Sequence, residues 1–325
     1  MVRLGELGEE VSAGHEVLAV ALGESESVAV PSPTVLRRWI AFELARLRKA
    51  AGLSQVQAAT AVGRVQSHIS NLERGPGAAG RRNVPSWPDV AALLDAYGRP
   101  DLGTEFRERI DQSKRKHWSE DLPKGVIPPL FDLYLGLEEG ASGIDCYDAM
   151  TFPGLLQCRP YAEQLLRGHG AVMSDEELVR RVDLRMRRQA VLDREEDPLR
   201  LWSIVDESVL YRELGDPAVL LSQLRHVLKV IERPEIEFQI VQLAGRVHPA
   251  MHGSFTIMHF ATPGDPGLIY LESRRGGSYY EDQADIDEYT QVMNHLRVIA
   301  LDQAQSVDLI RGRCQELERG TSSSR

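Results

Sequence analysis

Residues Gly52 to Gly75, GLSQVQAATAVGRVQSHISNLERG, constrain this chain more than any other stretch. Ser54 followed three residues later by Gln57 is a capping-box arrangement, so a helix starts there. Gly63 has the permissive backbone that a tight turn needs. A second short helix, about Val65 to Arg74, follows; Val65, Ile69 and Leu72 are expected on its buried side, and Gln66, Ser67, Ser70 and Asn71 on its outer side. Ala58, Ala59 and Val62 give the first helix a small apolar face against which the second can pack closely. A helix apolar on one side and rich in Gln, Ser and Asn on the other suits the major groove of DNA. Gln and Asn can bond an adenine edge in two places, and Ser adapts to several bases.

The flanking residues extend this pair to five helices. From Thr34 to Ala51, Leu36, Ile40, Leu44 and Leu47 form a helical apolar stripe with arginines on the other face, and Gly52 closes the helix. After the loop Gly75 to Asn83, Trp87–Gly98 repeats the pattern through Val90, Leu93, Leu94 and Tyr97, and Leu102–Trp118 places Phe106 and Ile110 inward.

Charge follows the same division. Between Thr34 and Arg82 there are nine Lys and Arg against Glu43 and Glu73, a net +7, so the rest of the chain carries −17 of a total of −10. A basic region in an acidic chain is expected where one part meets phosphate and another does not. The alternative is a solvated basic face. The first 33 residues, with six glutamates against Arg3, read as a mobile acidic tail ending at Pro31-Ser-Pro33.

Beyond Ser119 the pattern changes. Pro123, Pro128 and Pro129 mark a linker over 119–129. Helical patterns at Leu130–Glu138, Pro160–Arg167, Ser174–Arg194, Asp216–Glu232, Gln283–Leu301 and Ala304–Glu318 alternate with strand-like runs. Those runs are Leu199–Val205, Ile236–Leu243, Ser254–Phe260 and Leu268–Glu272. The expectation is a multidomain chain: an all-α five-helix domain over 34–118, then an α/β (α+β) domain over 130–318. That second domain has a small, mostly antiparallel sheet with flanking helices, and a polar tail over 319–325 is expected to be disordered. An apolar content of 42% supplies a sizeable core. No apolar run is long enough to span a bilayer, and no secretory signal is visible. Cys146, Cys158 and Cys314 lie far apart, which suits a reducing cytoplasm and argues against a disulfide framework or zinc finger.

At Gly52 to Gly75 the chain resembles the lambda-repressor-like, Xre-type helix-turn-helix family: G-L-S-Q, the apolar/Ala pair, Gly63, Q-S-x-I-S and L-E-R-G fall at the family's positions. Ala58 departs from it, since a larger aliphatic residue is usual there, and the loop after Gly75 is longer. The resemblance implies base-reading by Gln66, Ser67 and Asn71. It also implies DNA backbone contacts by Gln55, His68 and Arg74. Apart from the resemblance, Arg81 and Arg82 in the flexible loop Gly75 to Asn83 are expected to be within reach of the DNA backbone. For His68 the competing role is to cover the helix junction. Arg48 and Glu73 correspond to a structural ion pair. The remainder resembles a group of actinobacterial regulators that carry this domain before a large domain of unknown function. The resembling stretches include Phe152-Pro-Gly-Leu-Leu-Gln157, the arginine-rich Arg181–Leu192, His248-Pro-Ala-Met-His-Gly253 and Tyr279-Tyr-Glu-Asp282. Some of its members are described as antitoxin-like, acting with a small protein encoded nearby.

Outside the helix pair, no residues form a coherent catalytic set: no phosphate loop, GxSxG or HExxH occurs. His248, His252, His259 and Glu272 are a conceivable metal group, with packing or hydrogen bonding the favoured role. Arg180, Arg181, Arg185, Arg187 and Arg188 share their helix with Asp175, Glu176, Glu177 and Asp183, which favours ion pairing. The expected protein is therefore a cytoplasmic, sequence-specific transcriptional regulator, nucleoid-associated when bound, without cofactor, metal or enzymatic activity. It would act as a homodimer on palindromic double-stranded DNA, controlled through its C-terminal domain by a small-molecule effector or a small partner protein, with no membrane role. The alternative is an antitoxin-like interaction module that uses DNA binding for autoregulation.

Overall fold

The computed structural model describes residues 32–75, 84–123, 126–127, 131–168, 173–245, 247–273 and 276–323. The acidic tail through residue 31, Arg81, Arg82 and residues 124–125 and 128–129 of the proline-marked linker lie outside the described residues.

Helix α1 (Pro33–Ala50) begins on a proline, tolerated there because the first helical N–H has no partner in any case. Gly52, at φ 71°, turns the chain out of it. In α2 (Gln55–Ala61) the capping box is complete: the Gln57 N–H donates to Ser54 Oγ at 3.2 Å, and the Ser54 N–H donates to Gln57 Oε1 at 2.8 Å. Gly63, at φ 64°, makes the turn into α3 (Gln66–Leu72). Helices α4 (Trp87–Ala96) and α5 (Gly103–Ser113) close the bundle. Ile40, Leu44, Ala58, Ile69, Leu93, Phe106 and Ile110 form its core. Val65 departs from expectation: it is the extended N-cap of α3 and stands 68% exposed, because the helix and its inward face start one residue later.

The rest of the chain folds as α6 (Phe131–Gly140), β1 (Gly143–Asp148), α7 (Arg159–Gly168), α8 (Asp175–Arg188), β2 (Arg200–Asp206), α9 (Pro217–Val230) and β3 (Ile236–Val241). Then come β4 (Phe255–His259), β5 (Leu268–Ser273), β6 (Gly276–Tyr280), α10 (Gln283–Ile299) and α11 (Gln303–Ser323). The six strands form one mixed sheet in the order β3-β2-β1-β4-β5-β6. The β3–β2–β1 half is parallel and the β1–β4–β5–β6 half antiparallel, so β1 is the strand at which direction and order both reverse.

Strand periodicity sends Ile144, Cys146, Leu201, Phe238, Met258 and Leu268 to the main core. Tyr147, Ile204, Ile257 and Ile269 go to the opposite face, beneath Ile286, Met293 and Leu296 of α10. The segment from 319, expected to be disordered, instead continues α11 through Ser323. Ile310, Cys314 and Leu317 anchor that helix in the core, and no proline follows to break it.

Helix α1 belongs to both halves. It crosses α6 where glycine removes the side chain. A Cβ at Gly136 would stand 2.2 Å from Thr34 Oγ1, and one at Gly140 would stand 2.5 Å from Val35 Cγ2. Ser32 Oγ donates to the Gly136 carbonyl at 2.6 Å. One turn on, Arg38 is fully buried: its Nε and Nη2 each donate to Asp265 at 2.7 Å, Nη2 also donates to the Gly267 carbonyl at 2.8 Å, and Nη1 bonds Glu281. Its guanidinium lies over Phe42 and Phe260, 4.6 and 4.8 Å from the ring centroids.

Gly136→Val forces α1 off α6. Overpacking of this kind costs about 1–3 kcal/mol, which urea denaturation should register. Gly312→Ala on α11, where nothing lies within 4 Å of the new Cβ, should be neutral or mildly stabilising in the same assay.

Candidate functional site

The outer face of α3 is open. Gln66, Ser67, Asn71 and Arg74 are exposed, and Ser70 is half-buried. Behind them runs a chain of charge and amide groups. Arg48 Nε donates to Glu73 Oε1 at 2.6 Å, and its Nη2 donates to Oε2 at 2.9 Å, while Nη1 reaches the Leu53 carbonyl at 2.7 Å. Gln55 Nε2 then donates to Glu73 Oε2 at 2.9 Å, and Gln66 Nε2 donates to Gln55 Oε1 at 2.7 Å. The hydrogen bond to Glu73 raises the Arg48 pKa above its ordinary value despite burial. The two motif helices and α1 are thus tied together behind the outer face of α3, and Gln55 and Gln66 are coupled by a hydrogen bond.

His68 is half-buried, with Nε2 3.3 Å from Asp89 Oδ2 on α4. It faces a neighbouring helix, which is the geometry of a junction cover. Arg64 also pairs with Asp89, at 2.7 Å. Burial pushes the Asp89 pKa up, but hydrogen bonds from Ser86 and Arg64 outweigh it and hold the carboxyl below its ordinary value.

The basic region is less available than its composition implies. Arg38 is sealed at the junction, Arg48 is held by Glu73, Arg46 by Glu43 and Arg64 by Asp89, and Arg37 donates to the Ser113 carbonyl. Arg38 and Arg48 do not lie on an outer arginine face of the first helix, because acceptors from elsewhere in the fold bury them. Lys49 and Arg74 are exposed, and Arg81 and Arg82 lie outside the described residues.

A second feature lies on the sheet, a cavity of about 110 Å³ at the C-terminal end of β1. Cys146 on β1 registers with Thr256 on β4, and Thr256 with Tyr270 on β5. One step along each strand, Asp148, Ser254 and Glu272 line the same cavity. Opposite them stand Arg185 and Arg188 of α8 and the Phe152–Gln157 segment. Arg188 forms a buried pair with Glu138 on α6, both bonds 2.8 Å. Arg185 Nη1 donates to Gln157 Oε1 at 2.6 Å; burial, and then the Arg188 charge, pull its pKa down to about 10. Burial, only partly offset by a hydrogen bond from Cys146, and the Glu272 charge push the Asp148 carboxyl up to about 7.

His259 bonds Asp145 at 3.0 Å and His248 stands edge-on to Tyr147; among the described residues no three His, Cys, Asp or Glu are placed to hold a metal. The α8 arginines are largely ion-paired or stacked: Arg180 with Glu176, Arg181 with Glu177, Arg188 with Glu138, and Arg187 over Trp118. Sequence reasoning missed the cavity because β1, GIDCYD, carries two aspartates and no apolar run.

Two short helices joined by a tight turn, packed on three more and exposing one polar face, define a helix-turn-helix domain. Residues 39–107 match a family model described as a helix-turn-helix domain, which supports a DNA-binding regulator. Residues 131–312, more than half of the chain, match the family described as a domain of unknown function, DUF5753, and the chain belongs to that family. No curated protein and no solved structure matches it. Among the described residues no helix is long and apolar enough to cross a membrane.

Two outcomes are expected here. Glu73→Ala strands a largely buried Arg48, at a cost of about 3–5 kcal/mol in chemical denaturation. For Asp148 the folded pKa of about 7 exceeds the ordinary 3.8, so the native state holds a proton that the unfolded chain releases. Its contribution is therefore full below pH 3.8 and lost as pH rises toward 7. Asp148→Asn should flatten the fall of unfolding free energy across that window.

Proposed function

We propose that the protein is a sequence-specific transcriptional regulator of the Xre type, with α3 entering the major groove. The carrying observation is the exposed Gln66, Ser67 and Asn71 face, backed by the Arg48–Glu73–Gln55–Gln66 chain. In this reading Gln66, Ser67 and Asn71 contact base edges, while Gln55 and Arg74, with Arg81 and Arg82 of the following loop, hold phosphates. His68 contributes through its contact with Asp89. Exposed Val65 adds an apolar group beside the reading face, suited to a thymine methyl. With so much of the local positive charge already paired, one copy has modest non-specific affinity. Two copies on a palindromic site, half-sites about 34–36 Å apart, make the contact decisive.

The C-terminal domain controls this binding. Support comes from α6, whose Tyr134 and Glu138 flank the cavity and its Arg188, and whose Gly136 and Gly140 seat α1. A change at the cavity has a direct mechanical route to the DNA-binding helices. A second reading, an antitoxin-like module that sequesters a small partner, draws on the exposed apolar side chains of Leu243, Val247 and Met251 after β3.

Asn71→Ala should cost about 1–3 kcal/mol on the selected operator and relax specificity at one position, whereas Arg74→Ala should weaken all sequences alike and lower the salt slope by about one. Quantitative gel shifts on operator and random DNA at several salt concentrations distinguish them. Equal losses for Asn71→Ala on both DNAs would sink the reading-helix assignment.

A further inference from the structure

We propose that the cavity at the end of β1 binds a small zwitterion of the α-amino-acid class, its ammonium against Asp148 and Glu272 and its carboxylate against Arg185. The inference deepens the regulator reading, on which its consequence for DNA depends, but the site itself stands on its own geometry.

Three observations converge. The first is place. In an open sheet, ligands collect beyond the carboxyl ends of strands where strand order reverses, and β1 is that strand here.

The second is the unbalanced chemistry of the walls. Arg188 has its carboxylate in Glu138, with two matched bonds, but among the described residues Arg185 donates only to the amide oxygen of Gln157. Across the cavity Asp148 receives a bond from the Cys146 thiol and has a second carboxylate, Glu272, acting on it. Asp148 and Glu272 thus mark the sheet end of the cavity, while Arg185 stands at the α8 end. Among the described residues Arg185 has no hydrogen bond to a carboxylate, although the charges of Glu272 and Glu138 reach it. A ligand carrying both charges satisfies both ends; a lone cation or a lone anion satisfies one and leaves the other as it was. Burial pulls the Arg185 pKa down and pushes the Asp148 pKa up, and an occupant of opposite charge at each end reverses both penalties.

The third is size. A cavity of about 150 Å³ accepts the six carbons of benzene, so one of about 110 Å³ takes roughly four or five non-hydrogen atoms without rearrangement. That is the size of glycine, and the open side of the cavity beside exposed Glu272 leaves room for the short side chain of alanine or serine. Tyr134 and Tyr270, with ring centroids 4.5 Å apart, wall the site with aromatic surface that tolerates an ammonium and a short aliphatic side chain.

Calorimetric titration of the full chain without DNA tests this, using glycine, L-alanine and L-serine beside propylamine and propionate. At least one amino acid should saturate, with propylamine and propionate about tenfold weaker or worse. Arg185→Met and Asp148→Asn should each weaken that binding about tenfold or more, with thermal melts confirming that both variants fold. Failure of all three amino acids to saturate overturns the proposal, as does equal binding of the amine or the acid alone, or undiminished binding by folded Arg185→Met. Amino-acid binding by a chain that selects no DNA site keeps this assignment and removes the regulator reading; site-selective DNA binding by a chain that takes up no amino acid does the reverse.

Discussion

The burial of Arg38 is the constraint on which the arrangement of the two halves depends. A guanidinium withdrawn completely from water is tolerated only when its donors are matched, and here the partners come from residues more than two hundred positions away. Asp265 meets it through two parallel bonds, the Gly267 carbonyl and Glu281 add two more, and Phe42 and Phe260 cover its faces. Separating α1 from the sheet would leave a cation and a carboxylate, both fully buried side chains, without each other. The helix-turn-helix core and the sheet core are distinct clusters, yet this charge and the two glycines of α6 hold them in contact.

Helix α6 consequently faces two ways. Its glycines accept α1, while Tyr134 and Glu138 support the cavity and its arginine. Interiors are packed too closely to absorb a displaced helix locally, so a shift of α6 is felt by both neighbours. The outer face of α3 remains exposed in this arrangement, so the contact between the halves leaves the residues proposed to read DNA accessible.

The helix pair was legible in the sequence because its signals are local: a cap at Ser54, a turn at Gly63 and an apolar position at Ile69. Four strands were legible from their Val, Ile and Phe content. Strands β1 and β6 were not, since GIDCYD and GGSYY owe their places to neighbours: β1 to pairing on both edges, and the second glycine of β6 to the Tyr270 ring, 2.0 Å from where a Cβ would stand. Charge was the least legible property. Counting arginines between Thr34 and Arg82 describes a basic region, but Arg38 is spoken for by carboxylates that no local pattern links to it, and Arg48 by Glu73, a pair that the family resemblance alone pointed to. The cavity escaped for the same reason, since Asp148, Glu272 and Arg185 meet only once the strand register is set.

The chain behind α3 has a polarity that ends at the exposed outer face of that helix. An ionised carboxylate only accepts, so Glu73 compels Gln55 to turn its amino group inward and leave its carbonyl oxygen outward. That oxygen in turn compels Gln66 to spend one N–H on it. Gln66 is left with one N–H and its own carbonyl oxygen, a donor and an acceptor side by side with no freedom to exchange places. A single negative charge two side chains away has fixed which way that amide presents itself to whatever meets the outer face of α3.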